Sequence, residues 1–171
     1  MRTALATTML LLATASVAAE DIYDAVFVSN PAACDRAAEA DFGQVLFELQ
    51  ATVLIPRHGI WSGGELVCTM RNLDTDVSPI ADTPADLELY GTARCHGYDL
   101  DFIDQVVVSG FAQGINAENG DDGVDHPPGE KVQLYSMRAD LRAPDVPDYD
   151  KYAGIYTRCD GLTLEDVAWP E

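Results

Sequence analysis

The stretch "DLELYGTARCHGYDL", residues 86–100, decides the fold class. Leu87, Leu89, Gly91, Ala93 and Cys95 fall on one side of it, while Asp86, Glu88, Thr92 and Arg94 fall on the other. A period of two belongs to a β-strand with one buried face, because successive side chains point to opposite faces of a sheet. The tail of this strand, "TARCHGYDL" (92–100), returns as "YTRCDGLTL" (156–164), with Arg, Cys, Gly and Leu at the same places. Each copy is preceded by a second strand-like phrase, "VCTMRNL" (67–73) and "LYSMRADL" (134–141), and by a segment rich in proline and aspartate. Two readings fit: an internal duplication of a strand pair, or chance acting on common strand grammar. On either, Gly97 and Gly161 are expected to end strands, and Arg94 and Arg158 to lie on the polar face.

The same alternation recurs outward along the chain. In "ELVCTMR", Leu66, Cys68 and Met70 share the apolar side, and in "QVLFELQATVLI" (44–55) every odd position from Val45 to Ile55 is apolar, which predicts one long strand. "QVVVSG" (105–110) is a β-branched run typical of a well-covered strand. In "KVQLYSMRADL" the apolar phase passes from Val132 and Leu134 to Tyr135, Met137, Ala139 and Leu141, which predicts a bulge. Helix signals are confined to "SNPAACDRAAEADFG", where Asn30 offers an N-cap, Pro31 a first helical position and Gly43 a stop, so one short N-terminal helix is expected from about Pro31 to Ala40. "DTDVSPIADTPAD", "NAENGDDGVDHPPGE" and "RAPDVPDYDK" read as loops. The expected fold is all-β: a small antiparallel barrel or sandwich of seven to eight strands with one short helix and two disulfides.

The ends and the composition place this domain. "MRTALATTMLLLATASVAAED" has one positive charge, a short apolar run and a small-residue site at Val17-Ala18-Ala19, the layout of a secretory signal peptide. Residues 1–19 are therefore read as a leader and 20–171 as a single β-domain, exported to a periplasmic or extracellular space. No later apolar run is long enough to span a bilayer. The chain carries 10 Lys plus Arg and 29 Asp plus Glu, a net charge of −19, and loss of Arg2 with the leader takes it to −20. Such a field excludes nucleic acid and anionic lipid as partners and favours a basic protein, besides keeping the protein soluble.

Cys34, Cys68, Cys95 and Cys159 make an even set in an exported chain, which reads as two disulfides. Spacing alone leaves three pairings open. If each repeat half is an antiparallel strand pair, Cys68 faces Cys95, Tyr135 takes the corresponding place opposite Cys159, and Cys159 is left to Cys34. The expected bridges are Cys68–Cys95 and Cys34–Cys159.

No catalytic, metal or cofactor motif stands out. His58, His96 and His126 lie in separate segments without metal-ligand spacing. The order of Asp121, Asp122 and Asp125 does not match a calcium loop, so weak calcium binding or none is expected from a solvated hairpin tip built on Asn119-Gly120. Asp99, Asp101 and Asp104 cluster in a chain with many acids, and Ser62 and Ser109 lack the nucleophile-elbow context. Trp61 reads as a core plug more than a contact aromatic.

A signal peptide, a small antiparallel domain and two disulfides look similar in architecture to lipocalin-like barrels and to small bacterial periplasmic hydrolase inhibitors. The Gly-x-Trp signature of the lipocalin start is absent from "IYDAVFVSN" (22–30), and "GIW" at 59–61 matches it only out of place. The expected function is non-enzymatic binding of a ligand or protein in the cell envelope; the alternatives are inhibition of a cationic hydrolase through acidic loops, and a small hydrolase using clustered carboxylates or histidines. The leader reading predicts a mature N-terminus at Glu20, within a residue, because Val17 and Ala19 satisfy the small-residue rule. Intact-mass measurement of the exported protein checks it, and an uncleaved chain in the membrane fraction would refute it.

Overall fold

The computed structural model describes residues 22–37, 39, 41–63, 66–74, 88–97, 100–138 and 152–170. The leader, the proline- and aspartate-rich stretches at 75–86 and 142–151, and Leu87, Asp99, Ala139 and Leu141 lie outside the described residues. Eight strands run in chain order around a closed antiparallel barrel: β1 (Ala25–Val28), β2 (Thr52–Ile55), β3 (Gly59–Ser62), β4 (Val67–Asp74), β5 (Leu89–Gly97), β6 (Leu100–Ser109), β7 (Lys131–Ser136) and β8 (Gly154–Thr163). β1 closes the circle by pairing with both β2 and β8. No helix among the described residues is long and apolar enough to cross a membrane.

Two apolar layers follow from the alternation of side chains across the wall. The inner one packs Phe27, Leu54, Ile60, Cys68, Ala93, Cys95, Val108, Leu134 and Tyr156 inside the barrel. The outer one packs Val26, Val28, Val53, Ile55, Trp61 and Cys159 beneath Ala33, Phe42, Val45, Leu46 and Val167, which belong to segments wrapped around the barrel. β1, β2 and β3 are thus buried on both faces, and their sequences AVFV, TVLI and GIWS show no polar–apolar alternation. β4 and β5 have wet outer faces, where Thr69, Arg71, Arg94 and His96 are exposed.

Several expectations change at the wrapping segments. The helix expected from Pro31 is a six-residue 3₁₀ helix, Pro31–Arg36, with the Asn30 side chain accepting from the Ala32 amide as the cap. The first part of the expected long strand at 44–55 is an α-helix, α1 (Phe42–Glu48), and only Thr52–Ile55 is extended. Asp41 caps α1 by accepting from the Gln44 amide at 3.0 Å. Phe42, Val45 and Leu46 then share its buried face, at helical spacing, while Phe47 is 63% exposed. Gly43, expected as a stop, lies inside α1, at a place where a Cβ would come within 2.8 Å of Trp61 Cζ2.

The phase switch expected after Leu134 does not occur. Val132, Leu134 and Ser136 are buried while Tyr135 and Met137 face out, so Ser136 holds an inward place in an otherwise apolar row. The true irregularity is on β8. Between Ala25↔Thr163 and Phe27↔Arg158, two steps on β1 are matched by five on β8, and Gly161 at φ +75° takes up the excess within the strand it was expected to end. Arg158 is half-buried rather than on a polar face, with Nε sequestered.

Both expected disulfides form. Cys68 lies directly opposite Cys95 in the β4–β5 register, and both point inward. Cys159 points outward and joins the 3₁₀ helix through Cys34. Tyr135 pairs with Val107 of β6, not with Cys159, so the two strand pairs are not equivalent in register. The Cys34–Cys159 bridge spans 125 residues, and chain-entropy arithmetic puts the loss on its removal at about 3–5 kcal/mol. Urea unfolding of the Cys34→Ser/Cys159→Ser protein should show that loss, with a non-reducing peptide map of the parent chain recovering 34–159 and 68–95 peptides; a 34–68 peptide would break the assignment.

Candidate functional site

Inside the barrel, one carboxylate sits among apolar side chains. Asp104 on β6 faces Ala93 of β5 and is 2% exposed. Its Oδ2 accepts from Ser136 Oγ at 2.5 Å and from the Tyr152 hydroxyl, while the Tyr152 carbonyl accepts from the Tyr156 hydroxyl. Asp104 Oδ1 has no hydrogen-bond partner among the described residues. Burial, reinforced by this bond to Asp104, drives the Tyr152 phenol far above its ordinary range, so it serves as a fixed donor. Arg138, two residues past Ser136, stacks its guanidinium 4.0 Å above the Phe102 ring. A serine bonded to a carboxylate is the germ of a nucleophile–base pair, but Ser136 is 3% exposed and the three histidines stand elsewhere. The arrangement ties β6, β7 and the entry to β8 together.

The segment between β6 and β7 closes one mouth of the barrel. Phe111 stacks edge-on against Tyr23 at 5.0 Å and against Phe27 at 6.3 Å. His126 and Ile115 exchange backbone hydrogen bonds, and the His126 ring lies between Asp122 (Nε2 to Oδ2, 2.9 Å) and Glu130 (Nδ1 to Oε1, 2.7 Å). Lys131, 9% exposed, donates to Asp121 at 2.9 Å and to Asp122 at 2.8 Å. Asp125 accepts from the Ala117 amide. Asp121, Asp122, Asp125 and Glu130 are thus engaged by the protein's own donors while the tip stays exposed, as the sequence predicts.

The outer wall divides in two. Over β8, β1, β2 and β3 it is sheathed by the 3₁₀ helix, α1 and the C-terminal segment, where Trp169 meets Trp61 at 6.0 Å and His58 at 4.8 Å. Over β5, β6 and β7, Ile103 (66%), Met137 (63%) and Tyr135 (44%) are exposed. A groove of about 390 Å³ lies beside Met137, walled by Tyr90, Thr92, Gln105 and Val107 and extended by Asn72 on β4. Cross-strand register builds it: Tyr90 opposes Val107, Thr92 opposes Gln105, and Tyr135 opposes Val107 from the other side. Exposed large apolar side chains gathered on one wall beside a groove are a mark of an interaction surface.

Of the residues singled out in the sequence, few meet. His58 is half-buried and its pKa is lowered by that burial; His96 is exposed on β5; His126 is on the β6–β7 segment. Asp101 and Asp104 point to opposite faces of β6, Asp101 pairing with Arg94 at 3.4 Å. Ser62 is buried and Ser109 half-buried, and Trp61 is a core residue. Ser136, Tyr152 and the outer groove escaped sequence reading. The only trace of the groove was Tyr135 and Met137 falling out of phase with Val132 and Leu134.

No family model, curated protein or solved structure matches the chain. Replacing Asp104 by Ala should cost on the order of 2–3 kcal/mol in urea unfolding, because two hydroxyls lose their buried acceptor. Asp104→Asn, which keeps an acceptor, should cost less. A loss below about 0.5 kcal/mol for Asp104→Ala would remove the structural role, since ordinary surface changes lie in that range.

Proposed function

We propose that the chain is an exported, non-enzymatic binding barrel that engages a basic protein through the outer wall of β5–β7. The observation carrying this reading is the asymmetry of that wall among the described residues: one part is sheathed by the protein's own segments, while the other exposes Ile103, Tyr135 and Met137, with a groove beside Met137. The barrel interior is occupied by its own aromatic and aliphatic side chains, so an internal small ligand finds less support than an external partner. The net charge of −19 selects the partner's sign, steering a cationic protein inward and repelling both acidic proteins and second copies. The leader-like N-terminus and the two disulfides support an oxidising compartment outside the cytoplasm.

Inhibition of a basic hydrolase is one form this binding takes, with contacts made by the wall. The acidic segment is less suited to it, because Asp121, Asp122 and Glu130 are engaged by Lys131 and His126. The test compares three proteins as bait against envelope and medium extracts: the parent, Ile103→Asp/Met137→Asp, and Phe47→Asp, which alters an equally exposed apolar residue on α1. A basic protein retained by the parent and by Phe47→Asp should bind the wall variant at least about tenfold more weakly, the scale of losing one or two interface anchors. Its retention should also fall as salt rises. Equal retention by all three folded proteins would overturn the reading.

A further inference from the structure

We propose that the segment joining β6 to β7 is a proton-locked latch: the His126 imidazolium bridges Asp122 and Glu130, and loss of its proton loosens the backbone bridge between Ile115 and His126. The geometry requires the charge. Both ring nitrogens of His126 face carboxylate oxygens, at 2.9 Å and 2.7 Å, and a neutral imidazole has only one N–H to give. The side chain is only 10% exposed, so water does not readily replace a lost partner.

The same residue organises the segment's backbone. The Ile115 and His126 amides donate to each other's carbonyls at 3.1 Å and 2.8 Å, and Gly129 donates to Gly110 at 2.9 Å. A Cβ on Gly114 would lie 2.1 Å from the His126 carbonyl oxygen, and one on Gly129 would lie 2.1 Å from Ile22 Cδ1, so the segment is pressed against both itself and the start of the domain. Phe111 and Ile115, 4% and 5% exposed, are its apolar anchors.

The charged groups acting on the His126 ring are Glu130 and Asp122, which favour the proton, and Lys131, which opposes it. Lys131 is itself held by Asp121 and Asp122. The balance raises the His126 pKa above its ordinary 6.5, with the Glu130 hydrogen bond the largest cause and the Asp122 bond next. A raised pKa means the contribution is fully present below the unfolded value and fades as pH rises through the folded one. Asp122 shifts the other way, held low by Lys131 first and His126 next, so its contribution fades only in strong acid. The latch is therefore shut below the ordinary histidine value and loosens as pH rises through the higher value of the folded protein.

The experiment follows the His126 ring by NMR from pH 5 to pH 9 and, over the same range, amide exchange corrected for intrinsic rates. The expected result is a His126 midpoint above that of free histidine, with protection of the Ile115 and His126 amides falling through that midpoint. The fall should be about tenfold for each pH unit by which the midpoint is raised. Amides of the β5–β6 pair should not follow it, and in His126→Gln the Ile115 amide should exchange fast at every pH. A midpoint at or below free histidine, or protection that stays flat through it in the parent protein, would overturn the latch; neither reading depends on the variant folding.

Discussion

Everything in this molecule hangs on β1, four residues that must pair on two sides and pack on two faces. Ala25–Val28 bonds to β2 along one edge and to β8 along the other, and without it the sheet is an open meander. Its alternation sends Phe27 into the barrel and Val26 and Val28 out of it. An outward valine on a barrel is a liability in water, so closure with an apolar β1 obliges the chain to supply a cover. The 3₁₀ helix, α1 and the C-terminal segment are that cover, and Cys34–Cys159 fastens it to β8, the strand that completes the ring. A structural disulfide at this point joins the two ends of the domain where sheath and closure coincide.

How much of this was legible depended on how many faces of each strand meet water. β4 and β5 alternate because their outer faces are wet, so Leu66, Cys68, Met70, Leu89, Ala93 and Cys95 could be assigned inward from the sequence, and the Cys68–Cys95 pairing with them. β1, β2 and β3 are covered twice and carry no such signal. At 42–49 two periods overlap: Val45, Phe47 and Leu49 mimic a strand, whereas Phe42, Val45 and Leu46 form the buried helical face, and the Asp41 cap decides between them. The Cys34–Cys159 bridge was reachable by elimination, although the equivalence of Tyr135 with Cys68 behind it does not hold.

The interior carboxylate shows why one phase error was inevitable. A hydroxyl pointing inward looks, in sequence, like a strand turning over, and only the distant Asp104 explains it. The partners of Asp104 are 32 and 48 residues away, on β7 and at the entry to β8. Leaving such a network half-made costs more than an apolar core would, so its presence demands that Ser136, Tyr152 and Asp104 come together in one register. It acts as a registry device: sliding β7 by one residue would put Tyr135 beside the carboxylate and Ser136 in water.

The wall and the mouth lie on different parts of the barrel, and this separation makes them independent. The groove of Tyr90, Val107 and Met137 rests on β5–β7, whose long pairing and buried tie at Asp104 hold the surface rigid. The His126 segment is fixed mostly by charge pairs at its rim and a few backbone bonds, the kind of element that opens below the global unfolding free energy. A rigid face suits recognition, because little ordering entropy is lost on binding. A charge-held segment suits response, because one proton alters two of its ion pairs. Salt acts on the two differently: screening weakens long-range steering toward the wall most, whereas the His126 and Lys131 pairs are in direct contact, at 2.7 to 2.9 Å, well inside a Debye length.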